Sequence, residues 1–115
     1  MIKQLFFNSS FFLTDTAVDN FIAVRIAAGD GNTVQTLIKS IESGEDYFDA
    51  QVRTLKNPTL IMWGKQDGLA PVTEGERLKR DIAGSELIVF DQAGHFPQVE
   101  KPADFNKALL EFLAR

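Results

Sequence analysis

Two short apolar runs constrain the fold of this chain most, because neither of them alternates polar and apolar side chains. Residues 59–63 read TLIMW, and residues 87–90 read LIVF. Continuous apolar runs of this length are typical of strands that are covered on both faces, as in a parallel sheet. Between the runs, Pro71 or Thr73 can begin a helix that Gly84 ends. The sequence therefore predicts a strand–helix–strand unit.

A last helix follows the second run. Pro102 suits the first turn of a helix, where its missing N–H would have no partner. An apolar stripe at helical spacing follows it, formed by Phe105, Ala108, Leu109, Phe112 and Leu113. Residues 57–115 are thus expected to form a βαβα unit of the α/β class, with both strands parallel.

The first half of the chain, residues 1–56, predicts three helices and no strand. The first covers Asp15–Ala28, with Thr14 or Asp15 as its cap, Gly29 at its end and an apolar face of Val18, Phe21 and Ile22. The second covers about 33–43, with an apolar face of Val34, Leu37, Ile38 and Ile41. The third lies near 47–55, and Pro58 ends it. We take 1–56 and 57–115 as two domains.

Four phenylalanines crowd the beginning of the chain, in two pairs around a polar centre. So many rings must pack against something in a soluble protein. Either this segment covers the core, or its rings line a substrate site. The rings are Phe6, Phe7, Phe11 and Phe12.

An acid and a base follow the two predicted strands. Asp67 lies in the loop after the first strand, and His95, the only histidine, lies in the loop after the second. Loops that follow parallel strands emerge at one edge of the sheet, so the two side chains can converge. A carboxylate bonded to one imidazole nitrogen fixes the tautomer and leaves the other nitrogen as a base. Taken singly, Asp67 could be a turn residue and His95 merely structural.

Two other carboxylates compete with Asp67 for the histidine. Asp91 lies at the end of the second predicted strand, four residues before His95, and Asp81 lies in the predicted helix. The sequence alone leaves both of them open as partners.

Composition excludes several classes of function. A net charge of −4 and a pI near 4.9, with no basic cluster, argue against nucleic-acid binding. The lack of cysteine excludes disulfides and thiolate sites, and a single histidine makes a zinc site improbable. The glycines at 29 and 31 do not match a dinucleotide loop. We therefore expect no cofactor. No run reaches the roughly 18 apolar residues of a membrane helix, and no secretory signal is evident, so a cytoplasmic location is expected.

Residues 58–113 resemble the C-terminal end of the α/β-hydrolase fold. The first strand and its loop read PTLIMWG followed by G-x-x-D, with Pro71 four residues after the aspartate, and residues 93–106 read AGHFPQVEKPADFN. The resemblance implies that Asp67 is the acid and His95 the base of a catalytic triad. Residues 1–56 resemble, more loosely, the cap helices of that family, which implies a small apolar substrate.

The nucleophile of that family is missing from the chain. The family carries it on a G-x-S-x-G elbow upstream of the acid. No serine here lies between glycines at that spacing; the serines are Ser9, Ser10, Ser40, Ser43 and Ser85. We therefore expect a C-terminal fragment of a hydrolase that cleaves a carboxylic ester or related bond, inactive by itself.

Two alternatives remain. The chain could be a non-catalytic binding module that self-associates through the bare edge of its first strand, since bare edges recruit strands from other chains. Light scattering at rising concentration would detect such a homo-oligomer. Alternatively, the chain could be a small enzyme that uses Asp67, His95 and water, although such a pair lacks most of the stabilisation that a triad gives the transition state.

Overall fold

A computed structural model describes residues 4–29, 33, 35–36, 39–40, 43 and 49–115 of the chain. Its helices and strands, in chain order, are α1 (Ser9–Phe12), α2 (Asp15–Ala28), α3 (Asp49–Val52), β1 (Leu60–Gly64), α4 (Val72–Asp81), β2 (Glu86–Phe90), α5 (Pro97–Glu100) and α6 (Pro102–Leu113). The chain divides into two compact units. One comprises Met1–Ser9 and Ala50–Arg115, and the other comprises Ser10–Asp49. The predicted domain boundary between residues 56 and 57 stays a prediction.

The two strands form a parallel pair, as the sequence predicted. Leu60 lies opposite Glu86 and Gly64 opposite Phe90, and the backbone N–H of Lys65 extends the ladder by donating to Phe90 O at 2.9 Å. Both strands therefore end at the same edge of the sheet. The α/β class and the βαβα order of residues 57–115 are confirmed.

Helices α4 and α6 pack on opposite faces of this pair. Gly75 of α4 lies against the indole of Trp63, where an added Cβ would come within 3.1 Å of the ring. On the other face, the rings of Phe90 and Phe105 have their centroids 5.9 Å apart. Helix α4 ends at Asp81, earlier than predicted, and Gly84, with φ of +78°, lies three residues further on in the turn that leads to β2. The core of this unit forms between the sheet and these helices.

Burial of the strands on both faces is confirmed only in part. Ile61 and Phe90 are buried, whereas Val89 is 41% exposed. The sheet has two strands among the described residues. Side chains at its margins therefore have neighbours on one side only, which leaves Val89 in contact with solvent. The outer edge of β1 pairs with no strand in the described ranges, and self-association through that edge stays a prediction.

Helix α2 has the predicted bounds, but the residues of its predicted apolar face are largely exposed. Thr14 Oγ1 accepts the N–H of Ala17 at 3.2 Å, and Gly29 adopts a φ of +62° just after the helix. Phe21 and Ile22 are 41% and 47% exposed, so the predicted apolar face does not bury them. The reason lies in the sequence of α2, whose apolar residues are spread around the helix and cannot share one side.

The remaining helices of the first half are described only in part. The described residues within the predicted helix 33–43 are helical. Its apolar positions Val34, Leu37, Ile38 and Ile41 lie outside the described residues. Helix α3 is shorter than predicted at its C-terminal end, and Leu55 beyond it is 40% exposed. No helix in the described ranges combines the length and hydropathy that crossing a bilayer requires.

Candidate active site

The acid and the base predicted from the sequence lie side by side at the carboxyl edge of the sheet. Oδ2 of Asp67 and Nδ1 of His95 are 2.8 Å apart. Asp67 belongs to the acid loop, residues 65–70, which follows β1. His95 belongs to the histidine loop, residues 91–96, which follows β2. The parallel register ends both strands at one edge, and this brings the two side chains within hydrogen-bonding distance.

The competing carboxylates bind elsewhere. Asp91 Oδ1 accepts the side-chain amide of Gln66 at 2.9 Å and lies 3.3 Å from Lys65 Nζ, and these bonds lower the pKa of Asp91. Asp81 Oδ1 lies 3.4 Å from the guanidinium of Arg53. Asp67 is therefore the carboxylate that meets the histidine.

The acid loop wraps around the carboxylate of Asp67. Its Oδ1 accepts the backbone N–H groups of Leu69 at 2.8 Å and Ala70 at 3.0 Å. Aspartate side chains commonly organise turns in this way, by bonding to the backbone two residues further on. The side chain is only 4% exposed, so its orientation toward His95 is fixed by the loop.

The surroundings of Asp67 decide its ionisation. Burial is the largest influence and raises its pKa, but hydrogen bonds from Ala70, His95 and Leu69, with the charge of His95, together lower the pKa below its ordinary value of 3.8. At neutral pH Asp67 is thus a carboxylate and can only accept. The shared proton must therefore lie on Nδ1 of His95, which makes Nε2 the ring nitrogen that can accept a proton.

This lowered pKa predicts how stability depends on pH. Because folding favours the ionised form of Asp67, its contribution to the free energy of unfolding is fully present above pH 3.8 and declines as pH falls through the folded-state pKa. We expect urea unfolding at several pH values to show this decline, and Asp67→Asn to make it shallower. Asp104→Asn, which removes an exposed carboxylate on α6, is the control and keeps the decline. The prediction would be contradicted if the free energy of unfolding of Asp67→Asn fell with decreasing pH as steeply as that of the unsubstituted chain.

Gln66 joins the acid loop to the histidine loop. Its backbone N–H donates to Ala93 O at 2.9 Å, and its Oε1 accepts the N–H of Ala93 at 3.2 Å. Sequence reasoning did not single out Gln66. The one available signal was its place next to Asp67, within the G-x-x-D stretch that begins at Gly64.

The N-terminal segment, residues 4–8, covers both loops. Leu5 O accepts the backbone N–H of His95 at 2.7 Å, and Gln4 O accepts that of Gly68 at 3.3 Å. The rings of Phe6 and Phe96 lie 5.3 Å apart. This segment therefore holds the two loops from one side. Phe7 and Phe11 are 48% and 72% exposed, so the cover over the core that the four rings suggested stays a prediction. No local sequence signal marks the contacts of this segment with the loops, because their partners lie far apart in the sequence.

An open cavity of about 160 Å³ lies at the acid–base pair. The residues that line it are Met62, Trp63, Gly64, Asp67, His95 and Pro97. The imidazole of His95 is 35% exposed, whereas the carboxylate behind it is buried. Trp63 is held by a 3.0 Å bond from its Nε1 to Ala70 O. The arrangement can move a proton at the wall of a mostly apolar pocket.

The described residues offer neither a metal site nor a nucleophile for His95 at Ser85. Within that part of the chain, no group of three or more His, Asp or Glu side chains could hold a metal ion. Ser85 is buried and precedes β2, whereas His95 follows the other end of this five-residue strand, which is about 16 Å long at 3.3 Å per residue. Ser85 is therefore not placed to act as a nucleophile for His95.

The sequence and the structure of this chain are both similar to those of known hydrolases. A 2-hydroxy-6-oxononadienedioate/2-hydroxy-6-oxononatrienedioate hydrolase of Escherichia coli is 39% identical over 85 residues, which are 71% of this chain and 30% of the relative. The structure of a meta-cleavage product hydrolase from Pseudomonas fluorescens matches with a TM-score of 0.57 and 35% identity, over 59% of this chain and 25% of that protein. The structure of a thermophilic esterase from Thermogutta terrifontis matches with a TM-score of 0.56 and 33% identity, over 57% of this chain and 24% of the esterase.

These matches agree with the resemblance seen in the sequence. The chain spans about 30% of the length of the curated relatives it matches. The model of the alpha/beta hydrolase fold family matches residues 8–102, which is most of the chain. This protein therefore belongs to the α/β-hydrolase fold family.

Proposed function

We propose that this chain carries the acid and the base of a hydrolase that cleaves a carboxylic ester or a related bond. The observation that supports this most directly is the 2.8 Å contact between Asp67 and His95 beside an open cavity. The similar proteins include a meta-cleavage product hydrolase and an esterase, which fits this class of reaction.

In the proposed reaction, Nε2 of His95 takes the proton from a nucleophile and later gives it to the leaving group. Asp67 keeps the imidazole in the required tautomer and stabilises the imidazolium that forms in between. No serine of the chain lies in a G-x-S-x-G elbow. We propose that the nucleophile comes from core elements of the fold that these 115 residues do not include.

The proposed substrate is small and apolar. Met62, Trp63 and Pro97 form much of the cavity wall, and they offer an acyl or alkyl group hydrophobic contact. The acid–base pair is the charged part of this lining. A substrate whose reacting carbonyl lies near Nε2 would place its apolar part against the indole.

A chimera tests the proposal. Residues of the E. coli hydrolase that align with this chain are replaced by this chain, and hydrolysis of an activated ester is measured. We expect the chimera to turn over the ester and the 115-residue chain alone to show none, since it lacks a nucleophile and oxyanion donors. A folded chimera without activity would contradict the proposal. So would turnover by the isolated chain that His95→Ala abolishes, since the chain would then not need an external nucleophile.

A further inference from the structure

We infer that Glu100 is a positioning residue for His95, because its carboxylate ties the histidine loop to the N-terminal segment. Its role in catalysis rests on the proposed function, in which His95 is the base. The contact itself does not depend on that proposal and can be tested without any activity.

The two oxygens of Glu100 bind two distant parts of the chain. Oε1 accepts the backbone N–H of Gly94 at 2.6 Å, and Oε2 accepts the backbone N–H of Phe7 at 2.7 Å. Both are short, as expected when the acceptor is a carboxylate, and such bonds are stronger than neutral ones. Glu100 itself is fixed at the end of α5, where its N–H donates to Phe96 O at 3.0 Å. One side chain thus joins α5, the histidine loop and the N-terminal segment.

Glu100 acts on the peptide just before the histidine. Three successive backbone N–H groups of the histidine loop each donate to a different segment: Ala93 to Gln66 Oε1, Gly94 to Glu100 Oε1 and His95 to Leu5 O. The loop therefore cannot shift without breaking one of these bonds. Since the ring must stay 2.8 Å from Asp67, fixing the backbone also fixes the acid–base contact.

Close packing at Gly94 supports the same conclusion. A Cβ added to Gly94 would lie 2.6 Å from Leu5 O and 2.9 Å from Phe7 N. The N-terminal segment thus contacts the loop backbone directly, with no room for a side chain between them. The carboxylate of Glu100 supplies the acceptor that both N–H groups at this contact need.

Glu100→Gln tests the two hydrogen bonds with the smallest change in the shape of the side chain. The amide keeps the size of the side chain but replaces one acceptor oxygen with a donor NH₂ group. The amide oxygen can accept the N–H of Gly94 or that of Phe7, but not both. The NH₂ group then faces the other N–H, which is also a donor and loses its acceptor. We expect this to loosen the histidine loop while the core between the sheet and its helices stays intact.

The test uses the fact that the chain has one histidine, whose ring signals are therefore unambiguous. In the ¹⁵N-labelled 115-residue chain, the solvent exchange of the Nδ1 proton of His95 is measured by NMR. Glu100→Gln should accelerate exchange about tenfold or more, as expected for the loss of a bond to a charged group. Glu111→Gln is the matched control, since it removes an exposed carboxylate on α6 that lies 4.0 Å from Lys107, and it should leave exchange unchanged.

Backbone amide spectra of β1 and β2 show whether each variant keeps its fold. Native spectra with unchanged Nδ1 exchange in Glu100→Gln would overturn the inference. If Glu100→Gln does not fold, Glu100→Asp decides by the same measurement, because the shorter carboxylate cannot reach both N–H groups. Unchanged exchange there would likewise overturn the inference. An inactive chimera together with faster exchange would contradict the proposed function but support the positioning role.

Discussion

Asp67→Asn should lower the kcat of the chimera about 10⁴-fold, with little change in KM. The asparagine amide keeps the shape of the side chain but carries no charge. It can donate its NH₂ group to Nδ1 of His95, which favours the tautomer with the proton on Nε2. That tautomer cannot act as a base toward the nucleophile, and the imidazolium loses its carboxylate partner.

Asp91→Asn is the matched control for this effect. Asp91 is also an aspartate after a strand, but it is exposed and bonds to Gln66 and Lys65. Its replacement should change kcat by no more than about twofold, as for most surface substitutions. A large loss in Asp91→Asn together with a small one in Asp67→Asn would show that the acid is assigned to the wrong residue.

Gly64→Ala should destabilise the chain by about 3 kcal/mol or more, at the upper end of the cost of overpacking. Gly64 is the last residue of β1, and the backbone of the histidine loop crosses directly over it. An added Cβ would collide with the carbonyl oxygen of Gly94 and lie 2.6 Å from that of Ala93. These atoms belong to the backbone and cannot rotate away as a flexible side chain could. The histidine loop would therefore have to move away from the end of β1.

The effect is measured by urea unfolding, with Gly84→Ala as the control. Gly84 has a φ of +78° and no atom within 4 Å of an added Cβ, so its replacement isolates the backbone strain of the left-handed region. That strain costs about 1–2 kcal/mol. If Gly64→Ala cost no more than Gly84→Ala, close approach of the histidine loop to the end of β1 would not be the reason for glycine at position 64.

The elements around the sheet were predictable because their signals are local. The runs at 59–63 and 87–90 indicated buried strands, and Pro71 and Pro102 marked the helix starts that the structure shows, whereas α4 ends at Asp81, three residues before Gly84. The exposure of Phe21 and Ile22 in α2 was not predictable in this way, because the apolar residues of that helix lie all around it. The four-residue α5 was also missed, since it is too short to show a periodic pattern.

The acid–base pair was predictable from topology, whereas the residues that hold it were not. Asp67 and His95 follow parallel strands, and this alone places them at one edge of the sheet. Gln66, Glu100 and Leu5 act through backbone N–H and carbonyl groups of distant segments. Every residue has such groups, so no residue type or spacing distinguishes these positions before the fold is known.

The bond between Glu100 and Phe7 closes a loop of 93 residues. Contacts of such long range form late in folding, because the entropy of most of the chain must be lost before they can form. The strand pair and α4 depend on much shorter separations and can form first. The sheet would then form first and the bond to the N-terminal segment last, so that a partly folded chain would already contain its sheet without the contact that fixes the histidine loop.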